Sequence, residues 1–369
     1  MQRVLIVNCF ETYEHRVDLL YRFFTKKGYQ AKVITSDWLH MHKCLRQTCP
    51  KDYEMLHVRA YNKNLSVQRL LSHYEFSVKA QKKMEEYSPD LLWVLIPPNS
   101  LVKAAAEYKK RHPEVNVIMD LIDMWPETMP IHRFKKLPPF INWQKLRDNN
   151  LQYADEVVTE CALFQTILGG KCAAEKMHTL YLARENGFVA SNPQLPDDRI
   201  ALCYLGSINN IIDIPCISRI IQEIDCPVDL HIIGDGEKRQ TLIDEASQAG
   251  ANVIYHGKIY NQEEKQRILD QCHFGLNIMK NSVFVGLTMK SMDYFECGIP
   301  IINNIKGDTW DFVANHQLGM NLERFEQIDS KDLFEMANRR LEVQDFFRRY
   351  FTYAAFCEQL DAMLQVLDQ

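Results

Sequence analysis

No two cysteines stand in CxxC spacing and no histidines cluster at the separations a zinc site needs, so no metal site is expected from them. The eleven cysteines are scattered singly from Cys9 to Cys357, which reads as reduced, mostly buried thiols in a cytosolic protein. Long apolar runs are missing too. The longest, Leu91 to Pro98, is under half a membrane span, and Val4–Val7, right after Met1-Gln2-Arg3, is too short and too early for a signal peptide or spanning helix. Any membrane contact is therefore expected to be peripheral. Positive charge is not in excess: 43 Lys+Arg against 48 Asp+Glu leave a formal −5, which disfavours nucleic acid as a partner. No repeat of solenoid period and no low-complexity tract occurs.

What is present is an ordinary globular composition, 46% hydrophobic and 25% charged over 369 residues, enough for about two domains with separate cores. Short apolar runs alternate with longer amphipathic segments, the pattern of βαβ units around buried parallel sheets. In the first half strands are expected at Arg3–Val7, Gln30–Ile34, Leu91–Ile96, Val115–Asp120 and Glu156–Thr159, with helices such as Arg16–Lys27 and Ser66–Tyr87 between them. The Gly-, Pro- and Asn-bearing stretch 185–199 lacks periodicity and is read as a linker. The rhythm then restarts with strands at Ile200–Leu205, Val228–Ile233, Val253–His256, Phe274–Ile278 and Ile299–Asn303. The expected division is a first domain over 1–184 and a second over 200–345. The segment from about Asp332 to Leu367 reads as amphipathic helix throughout, its end (346–369) returning to the first domain.

In an open parallel sheet the ligand crevice lies at the carboxyl ends of the strands, so function is sought in the loops there. Gly234 and Gly236 in HIIGDGEKRQTL follow a strand and open a helix; a plain turn is an equal reading of a lone GxG. The stretch VGLTMKSMDYFECGIPII is more informative. Lys290 and Asp293 share a helix face at i, i+3 spacing, so both can point at one ligand. A cation suits phosphate oxygens and a carboxylate suits ribose hydroxyls; the alternative is a solvated ion pair between the two.

The succession LCYLGSINN, LHIIGDGE, VIYHGKI, CHFGLNIMKNS and GLTMKSMDYFECGIPIINN resembles the donor half of retaining nucleotide-sugar glycosyltransferases of the GT-B fold, family 4. In the first half IMDLIDMWPE resembles the D-x-x-D-x-W-P-E loop of capsule and cell-wall members, and YADEVVTEC the strand that follows it. The resemblance implies an α/β protein of GT-B fold, two doubly wound Rossmann-like domains facing a central cleft. It further implies that Gly206, Ser207, Gly234, Gly236, Gly257, Ile259, Gly286, Leu287, Thr288, Lys290 and Asp293 bind the nucleotide-sugar donor, with the base meeting backbone groups of Gly257-Lys258-Ile259. Two departures stand out. The family's glutamate pair falls on Val285 and Asp293, and the Arg and Lys expected after the first donor-half strand are replaced by Ser207 and Asn209-Asn210. Lys290 is then the best remaining cation for the diphosphate.

On the acceptor side, Asp120, Asp123 and Glu127 crowd the end of a buried strand, where unpaired carboxylates are costly unless solvated, capping or ligand-facing. Either they cap the following segment or they bind a hydroxyl. Asp123 and Glu127, with Lys290, are the catalytic candidates, and Trp125 stands between loop packing and sugar stacking. His15 and Arg16 sit at a helix start, where Arg16 could reach an anionic donor or acceptor or be merely solvated. Over 132–147, Arg133, Lys135, Lys136, Lys145 and Arg147 lie among Phe134, Phe140 and Trp143, a pattern that suits an anionic membrane surface or a solvated loop.

The resemblance thus implies a retaining, metal-independent glycosyltransferase with no cofactor. It would move a sugar from a nucleotide diphosphate donor to a lipid-linked glycan in capsule or exopolysaccharide synthesis, from a cytoplasmic position at the inner face of the plasma membrane. Two other readings stay open: a catalytically silent GT-B subunit that binds a partner transferase or glycan, and a sugar-nucleotide epimerase of similar shape.

Overall fold

Strands and helices alternate along the chain, of which the computed structural model describes residues 2–129, 131, 136–185, 191–323 and 328–367. The first stretch runs β1 (Arg3–Asn8), α1 (Glu14–Lys26), β2 (Gln30–Ser36), a short antiparallel pair β3 (Trp38–Leu39) and β4 (Cys44–Leu45), then β5 (Tyr53–Leu56). It continues with α2 (Val67–Tyr87), β6 (Leu91–Ile96), α3 (Asn99–Arg111), β7 (Asn116–Leu121), α4 (Pro138–Leu151), β8 (Glu156–Thr159), α5 (Ala162–Leu168) and β9 (Met177–Thr179).

The second stretch runs β10 (Ile200–Leu205), α6 (Ile214–Glu223), β11 (Val228–Ile233), α7 (Arg239–Gln248), β12 (Ala251–Gly257), α8 (Gln262–Leu269) and β13 (Phe274–Asn277). It ends with α9 (Met289–Glu296), β14 (Ile301–Asn303), α10 (Asp308–His316), β15 (Gly319–Asn321), α11 (Ser330–Ala337), α12 (Arg340–Phe351) and α13 (Tyr353–Leu367). Two compact units result, one running to Ala183 and rejoined from Phe356, the other Arg184–Ala355.

Each unit is built on a parallel sheet, ordered β5-β2-β1-β6-β7-β8-β9 and β12-β11-β10-β13-β14-β15. Taken in chain order both follow the doubly wound pattern 3-2-1-4-5-6, the first with one strand more, so each reverses direction beside its first strand. The reversals fall between β1 and β6 and between β10 and β13. Helices cover both faces of such a sheet, and its central strands are accordingly apolar without alternation: Val4–Val7, Leu91–Ile96 and Ile200–Leu205 are buried along their length. The second core gathers Leu202, Tyr204, Ile217, Ile220, Leu230, Phe274 and Leu276.

The expected strands are present to within a residue or two at their ends, and edge strands are added. β5, β9 and β15 are short and only partly buried, so their residues carry no apolar run to read. The segment from Asp332 to Leu367, read as amphipathic helix throughout, is helical in three pieces. Asn338 caps the first, and Thr352 adopts an extended conformation (φ −86°, ψ 160°) that stops the second. The backbone there is engaged by Arg184, whose amide donates to the Phe351 carbonyl at 2.7 Å. Of the segment read as linker, residues 186–190 lie outside the described residues. Ser191 and Asn192 bind the Asp270 carboxylate at 2.7 and 2.8 Å. Among the described residues no helix is long and apolar enough to cross a membrane, and the eleven cysteines are free thiols, mostly buried.

Candidate functional site

In the second unit the loops after β10, β11 and β12 are laced together by backbone. The Gly206 amide donates to the Ile233 carbonyl at 2.8 Å, the Ile208 amide to Asp235 at 3.0 Å and the Gly234 amide to Gly257 at 2.7 Å. This contact is possible only without a side chain at 234. Gly234 has φ +146°, and a Cβ there would drive into the Gly206 carbonyl oxygen. A Cβ at Gly236 would meet the Ile208 carbonyl in the same way. Bare peptide groups therefore line this edge at the point where the strand order reverses, which is where doubly wound sheets take phosphates. Ser207 is exposed at that edge and Ile259 half-buried.

Lys290, in the first turn of α9, reaches the same place. Its ammonium lies 4.0 Å from the centroid of the Tyr204 ring, and its Cε is the nearest atom, at 3.7 Å, to where a Cβ of Gly206 would stand. Burial lowers its pKa from the ordinary lysine value to about 7. Among the described residues no carboxylate pairs with it. The helix that carries it is pinned by Tyr294, whose hydroxyl donates to the Cys203 carbonyl at 2.9 Å and accepts from the Leu205 amide at 2.8 Å. Both bonds go to the end of β10, so the strand and the Lys290 helix keep a fixed spacing.

The start of α9 is set by an amide ladder that the sequence did not reveal. Asn277, Asn303 and Asn321 stand opposite one another at the ends of β13, β14 and β15. Asn277 donates to Asn303 at 2.8 Å and Asn303 to Asn321 at 2.7 Å. Thr288 caps the helix by accepting from the Ser291 amide at 3.0 Å and donates its own hydroxyl to Asn277 at 3.0 Å. Gly286 is buried and its carbonyl accepts from both the amide and the hydroxyl of Thr309, each at 2.8 Å. Leu287, between them, is half-buried. The Gly286–Thr288 turn is thereby locked.

Lys290 and Asp293 share a helix face but no partner. Asp293 accepts from Arg184 at 2.9 Å and lies 3.8 Å from the Lys265 ammonium. Glu296, one turn on, has its pKa raised by burial, against the pull of Lys265 and Arg184. Arg184 and Lys265 lay outside the sequence reading; nothing in their local sequence marks them, because the contact spans the fold.

In the first unit Arg16 and Asp120 are brought together and fully buried. The guanidinium grips the carboxylate by two bonds, 3.0 and 2.9 Å, Trp93 donates to the same carboxylate at 2.9 Å, and Arg16 also donates to the Leu180 carbonyl at 2.6 Å. A helix-end arginine reaching outward is thus not what forms: the pair ties α1 to the end of β7. His15 meets the Ala183 carbonyl at 2.6 Å.

Asp123 caps its own loop, accepting from the Met124 amide at 2.8 Å, the Trp125 indole at 2.6 Å and the Thr128 hydroxyl at 2.5 Å. Burial nonetheless leaves its pKa raised. Glu127 is gripped through both oxygens by the buried Arg147, at 3.0 and 2.7 Å, so Arg147 braces this loop from α4. Trp125 packs against His73 and Phe10.

The missed group here is Glu160, which ends the β8 segment. Burial pushes its pKa up to about 7, with the nearby Asp123 and Asp120 charges adding to the shift and Arg16 opposing it. A carboxyl poised near neutrality at the carboxyl edge of a sheet can hold or release a proton. Its sequence signal was only the unusual glutamate after the apolar VVT. Of the basic segment 132–147, residues 132–135, with Arg133 and Lys135, lie outside the described residues. Lys136 is exposed and Lys145 exposed on α4. Among the described residues no group of three or more His, Cys, Asp or Glu side chains could hold a metal ion.

No family model matches the sequence, and no curated protein resembles it significantly. Solved structures do. The lipopolysaccharide outer core galactosyltransferase WaaB, in its apo form, is 13% identical with a TM-score of 0.67, covering 99% of each chain. Anabaena Alr3699/HepE in complex with UDP is likewise 13% identical at 0.67, covering 99% of this chain and 100% of its own. The UDP-GlcNAc 2-epimerase from Methanocaldococcus jannaschii is 11% identical at 0.54, covering 99% of both. At such identities the likeness speaks to architecture, and with the two sheet orders it establishes the GT-B fold of two Rossmann-like doubly wound domains.

Proposed function

We propose that this chain transfers a sugar from a nucleotide diphosphate donor to a glycan, with Lys290 on the diphosphate. One observation carries the reading: at the strand-order reversal of the second sheet, a half-buried lysine, with no carboxylate partner among the described residues, stands against a wall of bare peptide groups. As the glycosidic bond breaks, the leaving diphosphate gains negative charge, and a cation beside helix-start amides meets that charge in place. The WaaB and HepE likenesses support sugar transfer and a UDP-sugar donor, since one is a galactosyltransferase and the other was solved with UDP and with UDP-glucose.

In this reading Gly206, Ser207, Gly234 and Gly236 supply backbone around the phosphates, Gly257 to Ile259 meet the base, and Asp293 takes the ribose hydroxyls from within its pair with Arg184. Asp123, with Glu160 beside it, faces the acceptor hydroxyl. The reaction retains anomeric configuration without a metal, and the acceptor is a lipid-linked bacterial surface glycan, approached at the inner face of the membrane with the help of the basic segment 132–147. The test is nucleotide release from a panel of UDP- and GDP-sugars, with and without acceptor lipid extracts. A chain that binds none of the nucleotides overturns the reading. The replacement of the family's first glutamate by Val285 and the engagement of Asp293 by Arg184 favour one alternative, a silent subunit, which would bind nucleotide and release none from any sugar. Isomerised donor sugar without acceptor would instead identify an epimerase.

A further inference from the structure

The first turns of α2 are inside out. Arg69, Ser72, His73 and Ser77 are among its buried residues, whereas Val67, Leu70 and Tyr74 are 70%, 47% and 60% exposed. With Leu71 and Val78, also exposed, they recur at i, i+3, i+4, i+7 and i+11, a single stripe along the helix. Soluble domains ordinarily turn such a stripe inward, and a contiguous apolar surface marks a binding site. Beside it lies a cavity of about 500 Å³, walled in part by Leu70, Tyr74, Phe140, Trp143 and Leu146. That is the size of ordinary small-molecule sites.

Arg69 and His73 also line this cavity, though only 6% and 3% exposed. The Arg69 guanidinium sits 4.5 Å over the Trp125 ring, donates to the Asn64 carbonyl at 2.7 Å and donates from Nε to His73 Nε2 at 3.4 Å. None of these partners is anionic, and among the described residues no carboxylate pairs with Arg69. His73 adds a buried ring nitrogen, Nδ1, with no hydrogen-bond partner. Lys43 and His40 lie near enough for the Arg69 charge to act on both, and the Glu11 carboxylate acts on the same two groups in the opposite sense without bonding Arg69. A buried cation with no carboxylate paired to it is costly, so this end of the cavity suits an anion while its walls suit hydrocarbon.

The geometry points to a binding site for one amphiphile, a long-chain phosphate ester whose phosphate meets Arg69 and His73 and whose hydrocarbon chain follows the cavity and the α2 stripe. The Trp125 ring under Arg69 belongs to the loop that carries Asp123. On the sugar-transfer reading, and only there, this amphiphile is the lipid portion of the acceptor, with its phosphate end beside the reacting hydroxyl.

Calorimetry on the full chain with decyl phosphate, below its micellar concentration, tests the site without any donor. Decyl phosphate should bind at least tenfold tighter than decanol and than inorganic phosphate. Leu70→Asp and Tyr74→Asp, at exposed positions, should weaken it at least tenfold with the melting temperature unchanged, and Arg69→Met should reduce it to the decanol level. Equal affinity for decyl phosphate and decanol, unchanged binding in both α2 variants, or binding to anionic vesicles alone would each overturn the proposal. Should Arg69→Met fail to fold, the comparison of the two decyl compounds on the unaltered chain still decides. UDP affinity, measured in the same samples, keeps the two readings apart: its loss strikes the sugar-transfer proposal and leaves the amphiphile site standing.

Discussion

The ammonium of Lys290 rests 4.0 Å from the Tyr204 ring, held by an aromatic face where an ion pair was the simpler expectation. A ring face offers a cation less than a carboxylate does, so burial wins and the lysine titrates near 7. UDP should therefore bind tightest below that pH and progressively more weakly above it, as the free protein loses the proton the diphosphate needs. Calorimetry from pH 6 to 9 reads this directly, and the slope should vanish in Lys290→Met.

The same substitution should have the opposite effect on the fold. Because the folded-state pKa is depressed, the protonated lysine is a burden at pH 6 that lightens as pH climbs from about 7 toward its unfolded value. Lys290→Met keeps the packed stem and drops the charge. It should gain roughly 1–2 kcal/mol in urea at pH 6 while losing about 10- to 100-fold in UDP affinity, as charge-assisted contacts of roughly 1.5–3 kcal/mol do. A variant that loses stability along with affinity would mark Lys290 as a packing residue.

Gly234→Ala should cost more than Gly250→Ala. Both glycines have positive φ, but a Cβ at 250 meets nothing within 4 Å, whereas at 234 it meets Gly206 backbone. We expect a strain cost of about 1 kcal/mol at Gly250 and several-fold more at Gly234, with UDP affinity falling only at 234. Similar melting temperatures for the two would contradict the close approach of the loops.

Asp120→Asn leaves the Arg16 guanidinium buried against a neutral amide. Breaking such a pair costs roughly 3–5 kcal/mol, to be read in chemical denaturation. A variant as stable as the parent would show that the carboxylate is not needed to hold α1 on the sheet.

Glu160 bears on the acid side. Its folded pKa is raised to about 7, so its contribution is intact below the unfolded value near 4.5 and is lost as pH rises toward 7. Glu160→Gln should accordingly be about 1–3 kcal/mol more stable than the parent at pH 8 and little different at pH 4. The same gain at both values would exclude titration of this carboxyl as the cause.

The sheets were legible because strands buried on both faces write themselves as unbroken apolar runs, Val4–Val7 and Leu91–Ile96 among them. The edge strands were not, since Gly319–Asn321 carries no such run. At the candidate site the loop positions and Lys290 were legible from spacing. What spacing could not tell was which charges are already spoken for. Asp120 and Arg16 stand 104 residues apart and Arg184 and Asp293 109, and only the folded chain introduces them to each other. Glu160 was passed over because its shift comes from neighbours on other strands.

The Asn277, Asn303 and Asn321 ladder has a bearing on how any titration of this protein is interpreted. Amides neither take up nor release protons in the working range, and they answer weakly to ionic strength. The scaffold under Thr288 is thus chemically mute, and a change in nucleotide binding with pH or salt reports on the few groups that can speak, Lys290 first among them.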